Sequence, residues 1–483
     1  MNRRMVVYRV GQILELEAVL LLIPLAVAAI YAEWRGVGCF AISAAAAAVL
    51  GLLMILIFKP SNDLMYAKEG FSIVTIAWIL LSVFGAVPFF ISGEIPNAAD
   101  AFFETVSGFT TTGASLVPDV EKMSHGMLFW RSFTHWMGGM GILVLIMAIV
   151  PTDSGRSMHI MRAEMAGPVI GKLVPKIKDT AKILYVIYLG ITVLETLFLL
   201  AGGMPVFDSI VHALGTAGTG GYGIKGDSIG GYSPYIQWVI AVFMVIFGIN
   251  FNLYYLILMK KFSAAVKNTE LWLFFGMIIV STAVIAADIY RIYNNVGDSV
   301  RHSFFQVTSI MSTTGYSTAD FDKWPVLSKD IIFILMFVGG CAGSTAGGLK
   351  ISRILIMIKT VINDIRQQLH PRSVTSLKID GKPVDKNTTQ RVSTYFILYI
   401  FLIVAVFLLI SFEPFGFETN LTAAVSCVNN VGPGFGAVGP SGNYSGYSDF
   451  STIVLSFAML LGRLEIFPMI LALNPANWVN KNK

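Results

Sequence analysis

The sequence predicts an all-α integral membrane protein. Of its 483 residues, 55% are apolar and 13% are charged, and the mean hydropathy is +0.71. That is far more apolar surface than one soluble core can bury. Ten apolar stretches come close to the length of roughly 20 residues that a membrane span needs; they lie near residues 10–31, 36–58, 70–92, 126–150, 181–203, 234–259, 270–290, 330–360, 391–411 and 450–472.

The first two spans lie within residues 1–69 and precede any repeated pattern. The chain starts with basic residues, but the apolar stretch that follows is long and no small-residue cleavage site is evident. We therefore predict two additional N-terminal transmembrane helices, the first of them a retained helix rather than a signal peptide.

Four short amphipathic stretches align without a gap, and each runs into a glycine. They read FFETVSGFTTTGAS, IVHALGTAGTGGYG, FFQVTSIMSTTGYS and LTAAVSCVNNVGPG. The glycines in register are Gly113, Gly221, Gly315 and Gly432, each nine residues after one helix position that holds Glu104, His212, Gln306 or Ala423. Irregular backbone at membrane depth is tolerated where it lines a cavity rather than lipid. Four copies therefore predict four re-entrant half-helices whose glycine segments face one shared aqueous axis.

The order helix, half-helix, glycine segment, helix follows the first two spans four times. We predict four pseudo-symmetric repeats of this kind, helix–pore-helix–filter–helix, linked in one chain around one pore. Their predicted bounds are residues 70–150, 151–269, 270–390 and 391–483, and the third repeat includes a glycine-rich gating segment at 339–350.

The positive charges predict the orientation of the chain. By the positive-inside rule both termini are cytoplasmic and all four glycine segments lie on the outer side. Seven of the 34 lysines and arginines then fall in outer loops: Arg35, Lys122, Lys225, Arg291, Arg301, Lys323 and Lys329. Acidic residues outnumber them on that side, which would concentrate cations at the mouth of the axis, although ordinary solvated loops explain the same pattern.

The glycine segments have the chemistry of a cation filter. A dehydrated monovalent cation needs oxygens in place of its water, and backbone carbonyls supply them without a fixed charge. Glycine permits the positive φ that turns carbonyls toward an axis, and the half-helices direct the negative ends of their dipoles at the cavity. A single TTG tripeptide is more simply a turn, but four glycine segments in register favour a filter. The predicted filter residues are Thr111, Thr112, Gly113, Gly220, Gly221, Thr313, Thr314, Gly315, Asn430, Val431 and Gly432.

Five motifs then make the sequence resemble one family. They are STTGYST, HWMGGMGILVL, GGCAGSTAGGLK, NNVGPGFGAVGP and GRLEIFP, and they extend over most of the chain. Together they resemble the Trk/Ktr superfamily of potassium uptake proteins, and the two N-terminal spans favour its TrkH-like branch. The resemblance implies K⁺ as the transported ion with no prosthetic group, a homodimer, a cytoplasmic ring of nucleotide-binding TrkA-like regulatory subunits, and the bacterial inner membrane. Repeats two and four depart from TTG, which weakens the expectation of a fully four-fold site.

The glycine-rich run Gly339 to Lys350 interrupts an otherwise apolar span. It lacks the spacing of a phosphate loop, and broken helix at depth is tolerated where it lines a cavity. We predict a mobile constriction below the filter, with a tightly packed helix kink as the alternative. The predicted gate residues are Gly343, Ser344, Thr345, Ala346, Gly347, Lys350 and Arg463.

Several ionisable residues fall inside predicted spans, where burial makes each a functional candidate. Arg463 is predicted to project into the pore as an electrostatic barrier, and the alternative is an ion pair with Glu465 or Glu195. Arg131 is predicted to snorkel to the membrane interface. His135 and His212 are candidate proton carriers, although simple packing is the better explanation for His212.

The remaining features bear on partners and on competing functions. Nine basic residues between Lys350 and Arg391, with the loop from Arg156 to Lys182, predict a docking surface for the regulatory subunit, and we predict no nucleotide or nucleic-acid binding by this chain. An enzyme is not predicted, because no HExxH or GxSxG motif appears. The three cysteines, which are far apart, suggest neither a disulfide framework nor a zinc site. A coupled H⁺ or Na⁺ symporter of K⁺ or another monovalent cation remains the alternative function.

Overall fold

The computed structural model describes residues 1–60, 66–141, 177–371 and 377–473. Across these ranges the chain is almost entirely helical, as predicted. Its two strands, β1 (Lys378–Ile379) and β2 (Lys382–Pro383), form a short antiparallel hairpin.

The N-terminal unit consists of α1 (Arg3–Leu20), α2 (Leu22–Ile30) and α3 (Trp34–Ile57). Together α1 and α2 make one span of 28 residues. The backbones of α1 and α3 approach closely, because a Cβ placed on Gly11 would lie 2.8 Å from the carbonyl oxygen of Gly51. These helices pack beside the first repeat, which confirms two spans ahead of the repeats.

Each repeat has a long first helix followed by a short half-helix. The first helices are α4 (Ala67–Ser92), α7 (Ile177–Ala201), α12 (Thr269–Tyr293) and α16 (Lys386–Ile410). The half-helices are α5 (Ala98–Phe109), α8 (Val206–Gly218), α13 (Val296–Met311) and α17 (Phe417–Asn429). Asparagine side chains cap α5 and α13, where Asn97 and Asn295 accept hydrogen bonds from the first-turn N–H groups of Ala99 and Gly297.

The second helix of each repeat is short, and in repeats two, three and four another helix follows it. These helices are α6 (His125–Gly139), α9 (Pro234–Gly248) with α10 (Phe251–Leu258), α14 (Val326–Val338) with α15 (Ile351–Leu369), and α18 (Asp449–Arg463) with α19 (Ile466–Leu473). The chain bends by 89° between α9 and α10 and by 115° between α18 and α19. A short helix α11 (Phe262–Val266) follows α10.

The prediction of unbroken spans is therefore wrong for the stretches 234–259 and 450–472, whereas the predicted interruption of 330–360 is present between α14 and α15. Part of 126–150 lies outside the described residues. Within the described residues, six helices are long and apolar enough to cross a membrane, or up to eight if each bent pair counts as one. Hydropathy does not detect a change of direction inside an apolar stretch, which is why the breaks at Ile249 and Leu464 were not predicted.

Candidate ion pathway

Four glycine segments follow the half-helices directly. We call them segment 1 (Thr111–Gly113), segment 2 (Thr219–Gly221), segment 3 (Thr313–Gly315) and segment 4 (Asn430–Gly432). Most of their residues are buried, whereas Gly113, Gly221 and Gly315 keep partial exposure.

The four segments share one backbone conformation. The first residue of each is left-handed, with φ between 54° and 56°, and each glycine is left-handed too, with φ from 77° to 100°. In every segment the first two N–H groups bond back to carbonyls three and five residues earlier; in segment 1 these are Thr111 to Gly108 at 3.1 Å and Thr112 to Ser107 at 2.9 Å. This pattern is the Schellman motif that ends helices.

Positive φ at the glycines agrees with the sequence-based prediction, but positive φ at the residue two positions earlier was not foreseen. Three of those residues are threonines: Thr111, Thr219 and Thr313. A β-branched residue with positive φ is strained, and such strain persists where the surroundings hold it and is common at functional sites. The signal was available, because threonine or asparagine stands two residues before all four glycines in register.

The segments close into a ring around one axis. A Cβ placed on each glycine would collide with a backbone carbonyl oxygen of the next repeat. The pairs are Gly113 with Gly220 at 1.9 Å, Gly221 with Thr314 at 2.0 Å, Gly315 with Val431 at 2.4 Å, and Gly432 with Thr112 at 2.6 Å. The order one, two, three, four, one is complete, so the structure brings the predicted filter residues together.

Side chains support the ring from behind. Thr112 shares a hydrogen bond with Thr110 at 2.8 Å, and Thr314 shares one with Ser312 at 2.7 Å. In segment 4, the Asn430 amide donates to the Thr112 hydroxyl at 2.9 Å and thereby ties repeat four to repeat one. The bonds of Thr112 and Thr314 stay within their own repeats, whereas the Asn430 bond crosses between two repeats.

The loop at residues 339–350 lies directly beneath the ring. The Gly347 N–H donates to the Thr313 hydroxyl of segment 3 at 2.7 Å. A Cβ on Gly347 would lie 2.5 Å from the Asn429 carbonyl oxygen at the end of α17. On the other side, the Cys341 N–H donates to the Gly248 carbonyl at 2.9 Å, and the Phe251 N–H donates to the Gly343 carbonyl at 3.0 Å. The loop therefore contacts repeats two, three and four.

Arg463 joins this loop to the first repeat. Its guanidinium donates to the Thr345 carbonyl at 2.8 Å and to the carbonyls of Gly138 and Gly139 at 2.5 and 2.7 Å. Glu465, which the sequence offered as a partner for Arg463, forms an ion pair with Arg353 at 2.5 Å. The predicted gate residues therefore meet below the glycine ring.

Two further groups hold the loop in place. Lys350 is buried, and its ammonium donates to the Ala346 carbonyl. Glu270, at the start of α12, accepts from the N–H groups of Ala342 at 2.7 Å and Ser352 at 3.0 Å. One carboxylate thus fastens both ends of the loop. This role was not predicted, because no motif surrounds Glu270.

Arg131 does not snorkel to the interface, so that prediction is wrong. Its side chain is buried and forms an ion pair with the fully buried Glu104 of α5 at 2.8 Å. Glu104 also accepts from the Leu116 N–H at 2.9 Å. Glu104 is the acid at the position where the other half-helices carry His212, Gln306 and Ala423, and that asymmetry was a signal that it has a basic partner.

The two candidate histidines are fully buried. The His135 ring bonds to the Gly108 carbonyl through Nδ1 at 2.7 Å, and a Cβ on Gly220 would lie 2.2 Å from the ring. The His212 ring bonds to the Asp208 carbonyl at 2.8 Å. His135 therefore lies against segment 2, whereas His212 is fixed by a bond within its own helix.

Acidic side chains lie where the half-helices begin. Asn97 donates to Asp449 at 2.8 Å. Burial, followed by the carboxylates of Asp449 and Glu104, raises the pKa of Asp100. Two carboxylates, Asp100 and Asp449, therefore lie close together at the start of the first half-helix, whereas Asp298 and Glu418 at two other half-helices are paired with Arg301 and Lys329.

Comparison with known proteins identifies the family. A profile of the TrkH family, described as cation transport protein, matches residues 39–275 and 269–480. The Trk system potassium uptake proteins TrkH of Salmonella typhimurium and Escherichia coli are each 33% identical over 99% of this chain and 100% of their own length. The chain belongs to the TrkH family. The Trk system potassium uptake protein TrkG of Escherichia coli, another relative, is 34% identical over 87% of each chain.

A solved structure of the TrkH family agrees. The crystal structure of the potassium transporter TrkH from Vibrio parahaemolyticus matches with a TM-score of 0.88 and 30% identity, over 99% of this chain and 100% of that one. The chain is thus a multi-pass membrane protein with an all-α fold, and the relatives are named as transport proteins.

Proposed function

We propose that this protein carries K⁺ into the cell across the cytoplasmic membrane of a bacterium, with both termini in the cytoplasm. The closed ring of four glycine segments carries the proposal. Four segments of equal backbone conformation around one axis offer a dehydrated cation several carbonyl oxygens at once. The names of the Trk system relatives favour K⁺ as that cation.

The 339–350 loop is the proposed gate. It lies beneath the ring, and Arg463 places a positive charge against its Thr345 carbonyl and against the end of α6. A cation that leaves the ring on this side meets both a backbone obstruction and a positive charge, so conduction requires that the loop move. Lys350 adds a second buried positive charge.

A regulatory subunit is proposed to move the loop. The β1–β2 hairpin exposes Lys378 and Lys382, and its turn residue Asp380 accepts from the Thr269 N–H at 2.8 Å. Glu270 directly follows Thr269, and it fastens both ends of the 339–350 loop. A subunit that binds the basic hairpin would thereby pull on the gate through the start of α12.

The second predicted docking element is the loop from Arg156 to Lys182. Its residues 156–176 lie outside the described part of the chain. We keep it as a proposed contact, together with the homodimer, the TrkA-like nucleotide-binding ring and the five domain bounds. Nucleotide sensitivity should reside wholly in that separate subunit, so purified chain that responds to ATP or NADH alone would contradict this part.

Proton coupling is a second candidate, favoured by one observation. The His135 Nε2 atom is buried and has no hydrogen-bond partner among the described residues, and its ring lies against Gly220 of segment 2. A histidine at that place could exchange a proton as ions pass.

Flux into proteoliposomes tests both possibilities. Uptake of Rb⁺, as a substitute for K⁺, is compared with Na⁺ uptake, with and without an imposed pH gradient. Rb⁺ uptake well above Na⁺ uptake supports the proposed function, and equal uptake refutes it. If the pH gradient drives Rb⁺ accumulation and His135→Gln abolishes that effect, the protein is a proton symporter that uses His135. If the gradient has no effect, proton coupling is refuted.

A further inference from the structure

Two tyrosines join adjacent repeats beside the glycine ring. The Tyr222 hydroxyl, from repeat two, lies 2.8 Å from the Glu104 carbonyl oxygen and 3.2 Å from that of Ala114, both in repeat one. The Tyr316 hydroxyl, from repeat three, lies 3.4 Å from the His212 carbonyl oxygen and 3.2 Å from that of Tyr222, both in repeat two. Each tyrosine directly follows a ring glycine.

The two contacts are equivalent by the internal repeat. Glu104 and His212 each stand nine residues before a ring glycine, and Ala114 and Tyr222 each stand directly after one. Each hydroxyl thus bridges the half-helix and the post-glycine carbonyl of the preceding repeat. Both tyrosines are nearly fully buried, with exposures of 2% and 0%. The His212 carbonyl also accepts from the Thr216 hydroxyl at 2.8 Å. The carbonyls of Ala114 and Tyr222 lie outside the helices and are buried, so the loss of the tyrosine hydroxyl there is costly.

We call each contact region between adjacent repeats of the ring a seam. The other two seams are built differently. Between repeats four and one, Ala114 offers no hydroxyl, and the bond that crosses is from the Tyr444 N–H to the Ser115 carbonyl at 2.9 Å. The Tyr444 hydroxyl donates within repeat four, to the Gly432 carbonyl at 2.8 Å. Between repeats three and four the residue after the glycine is Pro433, whose ring lies near Gly315. Tyrosine hydroxyls therefore join adjacent repeats at two of the four seams.

We propose that the hydroxyls of Tyr222 and Tyr316 are positioning groups that set the spacing of the glycine ring and thereby its preference for K⁺ over Na⁺. Selectivity depends on the size of the cavity or on the number of carbonyls that reach the ion. The cavity size and the number of carbonyls within reach both change when the distance between adjacent segments changes. Without the hydroxyls the ring remains closed by packing but is free to contract around the smaller ion.

The inference rests on the proposed function, and the experiment separates the two. Rb⁺ and Na⁺ uptake are measured in proteoliposomes for the wild type, Tyr222→Phe, Tyr316→Phe and the control Tyr447→Phe. Tyr447 is also buried and also donates a hydroxyl bond, to Asn420 at 2.8 Å, but that bond lies within repeat four and joins no two repeats. A wild type without Rb⁺ preference refutes the proposed function. A selective wild type whose two ring variants match it refutes the tyrosine inference alone.

We expect each ring variant to lower the Rb⁺/Na⁺ ratio about five-fold, the factor that corresponds to one net hydrogen bond of roughly 1 kcal/mol, and the control to keep the wild-type ratio. An equal fall in the control would show general loosening and overturn the inference. Thermal unfolding of each variant in detergent is measured alongside, because a purely structural role would lower stability without changing the ratio.

Gly215 offers a second test that deletes no hydroxyl. A Cβ on Gly215 would lie 2.3 Å from the Tyr316 hydroxyl, so Gly215→Ala should push that hydroxyl away from its carbonyls. We expect the same fall in the ratio as in Tyr316→Phe, and no further fall when the two changes are combined, because both remove one interaction. Additive losses, or a wild-type ratio in Gly215→Ala, would contradict the proposal even if a phenylalanine variant failed to fold.

Discussion

The four glycine segments and the second helices of the repeats beneath them differ sharply in symmetry. Above, all four repeats have the same backbone conformation, with left-handed residues at the same two positions. Below, repeat two bends by 89°, repeat four bends by 115° after Arg463, and repeat three inserts the 339–350 loop. Similar repeats thus build a nearly four-fold ring over an asymmetric lower layer. We call this layer the base; it consists of the second helices, the 339–350 loop and Arg463.

The difference follows from what each layer must do. A cation on an axis is best surrounded by equivalent oxygens, so equal segments suit the ring. An obstruction needs to enter from one side and to move, and one loop with one arginine is sufficient for that. Four equal loops at the same depth would collide on the axis.

The largest effect is expected at the ring glycines. Alanine at Gly113 or Gly221 would place a Cβ about 2 Å from a carbonyl oxygen of the next repeat, at a φ that alanine disfavours. We expect Rb⁺ uptake to be abolished in both variants, and likewise in Gly315→Val. Gly432→Ala, where the distance is 2.6 Å, should retain the most uptake.

Membrane insertion and purification yield serve as the check that these variants fold. Gly190→Ala is the matched control, because no atom lies within 4 Å of its added Cβ. Wild-type Rb⁺/Na⁺ discrimination in Gly315→Val would contradict the filter assignment.

The next largest effect is expected in the base, at the 339–350 loop and Arg463. Deletion of residues 343–347, or Arg463→Ala, should raise basal Rb⁺ uptake about ten-fold and leave the Rb⁺/Na⁺ ratio unchanged. Hydrogen bonds to a charged group contribute roughly 1.5–3 kcal/mol each, and Arg463 makes three to carbonyls. A factor of ten needs about 1.4 kcal/mol, so their loss is sufficient.

Uptake at or below the wild-type level in both of these variants, with normal expression, would show that the loop and Arg463 are structural. A changed ion ratio would show instead that the base helps to shape the ring.

A smaller effect is expected where the hairpin meets the loop. Asp380→Ala removes the acceptor for the Thr269 N–H and hydroxyl, at 2.8 and 2.7 Å. We expect the stimulation of uptake by the regulatory subunit to fall about five-fold, as for the loss of roughly 1 kcal/mol, while basal uptake is unchanged. Asp385→Ala is the matched control, because Asp385 is an exposed aspartate that follows the same hairpin. An equal fall in that variant would count against a specific linkage through Asp380.

The smallest effect is expected from surface charge. Reversal of Lys378, Lys382 and Lys386 to glutamate should weaken association with the regulatory subunit, more strongly at low than at high salt, because exposed charges are screened by ions. Reversal of Lys323, which is exposed at 83% on the far side of the ring, is the control. Binding that does not depend on salt in any variant would place the docking surface elsewhere.

The ring was largely predictable from the sequence. Gly113, Gly221, Gly315 and Gly432 could be identified because the internal repeat keeps their spacing and because positive φ favours glycine. The threonines and asparagine two residues earlier were visible too, although their left-handed conformation was not expected. Membrane class, the two N-terminal helices and the family followed from composition, hydropathy and motifs.

The base and the seams were decided by tertiary structure. Arg463 meets Gly138 across 325 residues, Arg131 pairs with Glu104, and the Tyr444 N–H bonds to the Ser115 carbonyl between the last repeat and the first. The sequence by itself determined where each half-helix would end and that its glycine would take a positive φ, since local spacing and φ preference control both. Which side chain would meet which carbonyl depended on how the repeats packed, because partners distant in sequence are selected by burial and geometry rather than by spacing.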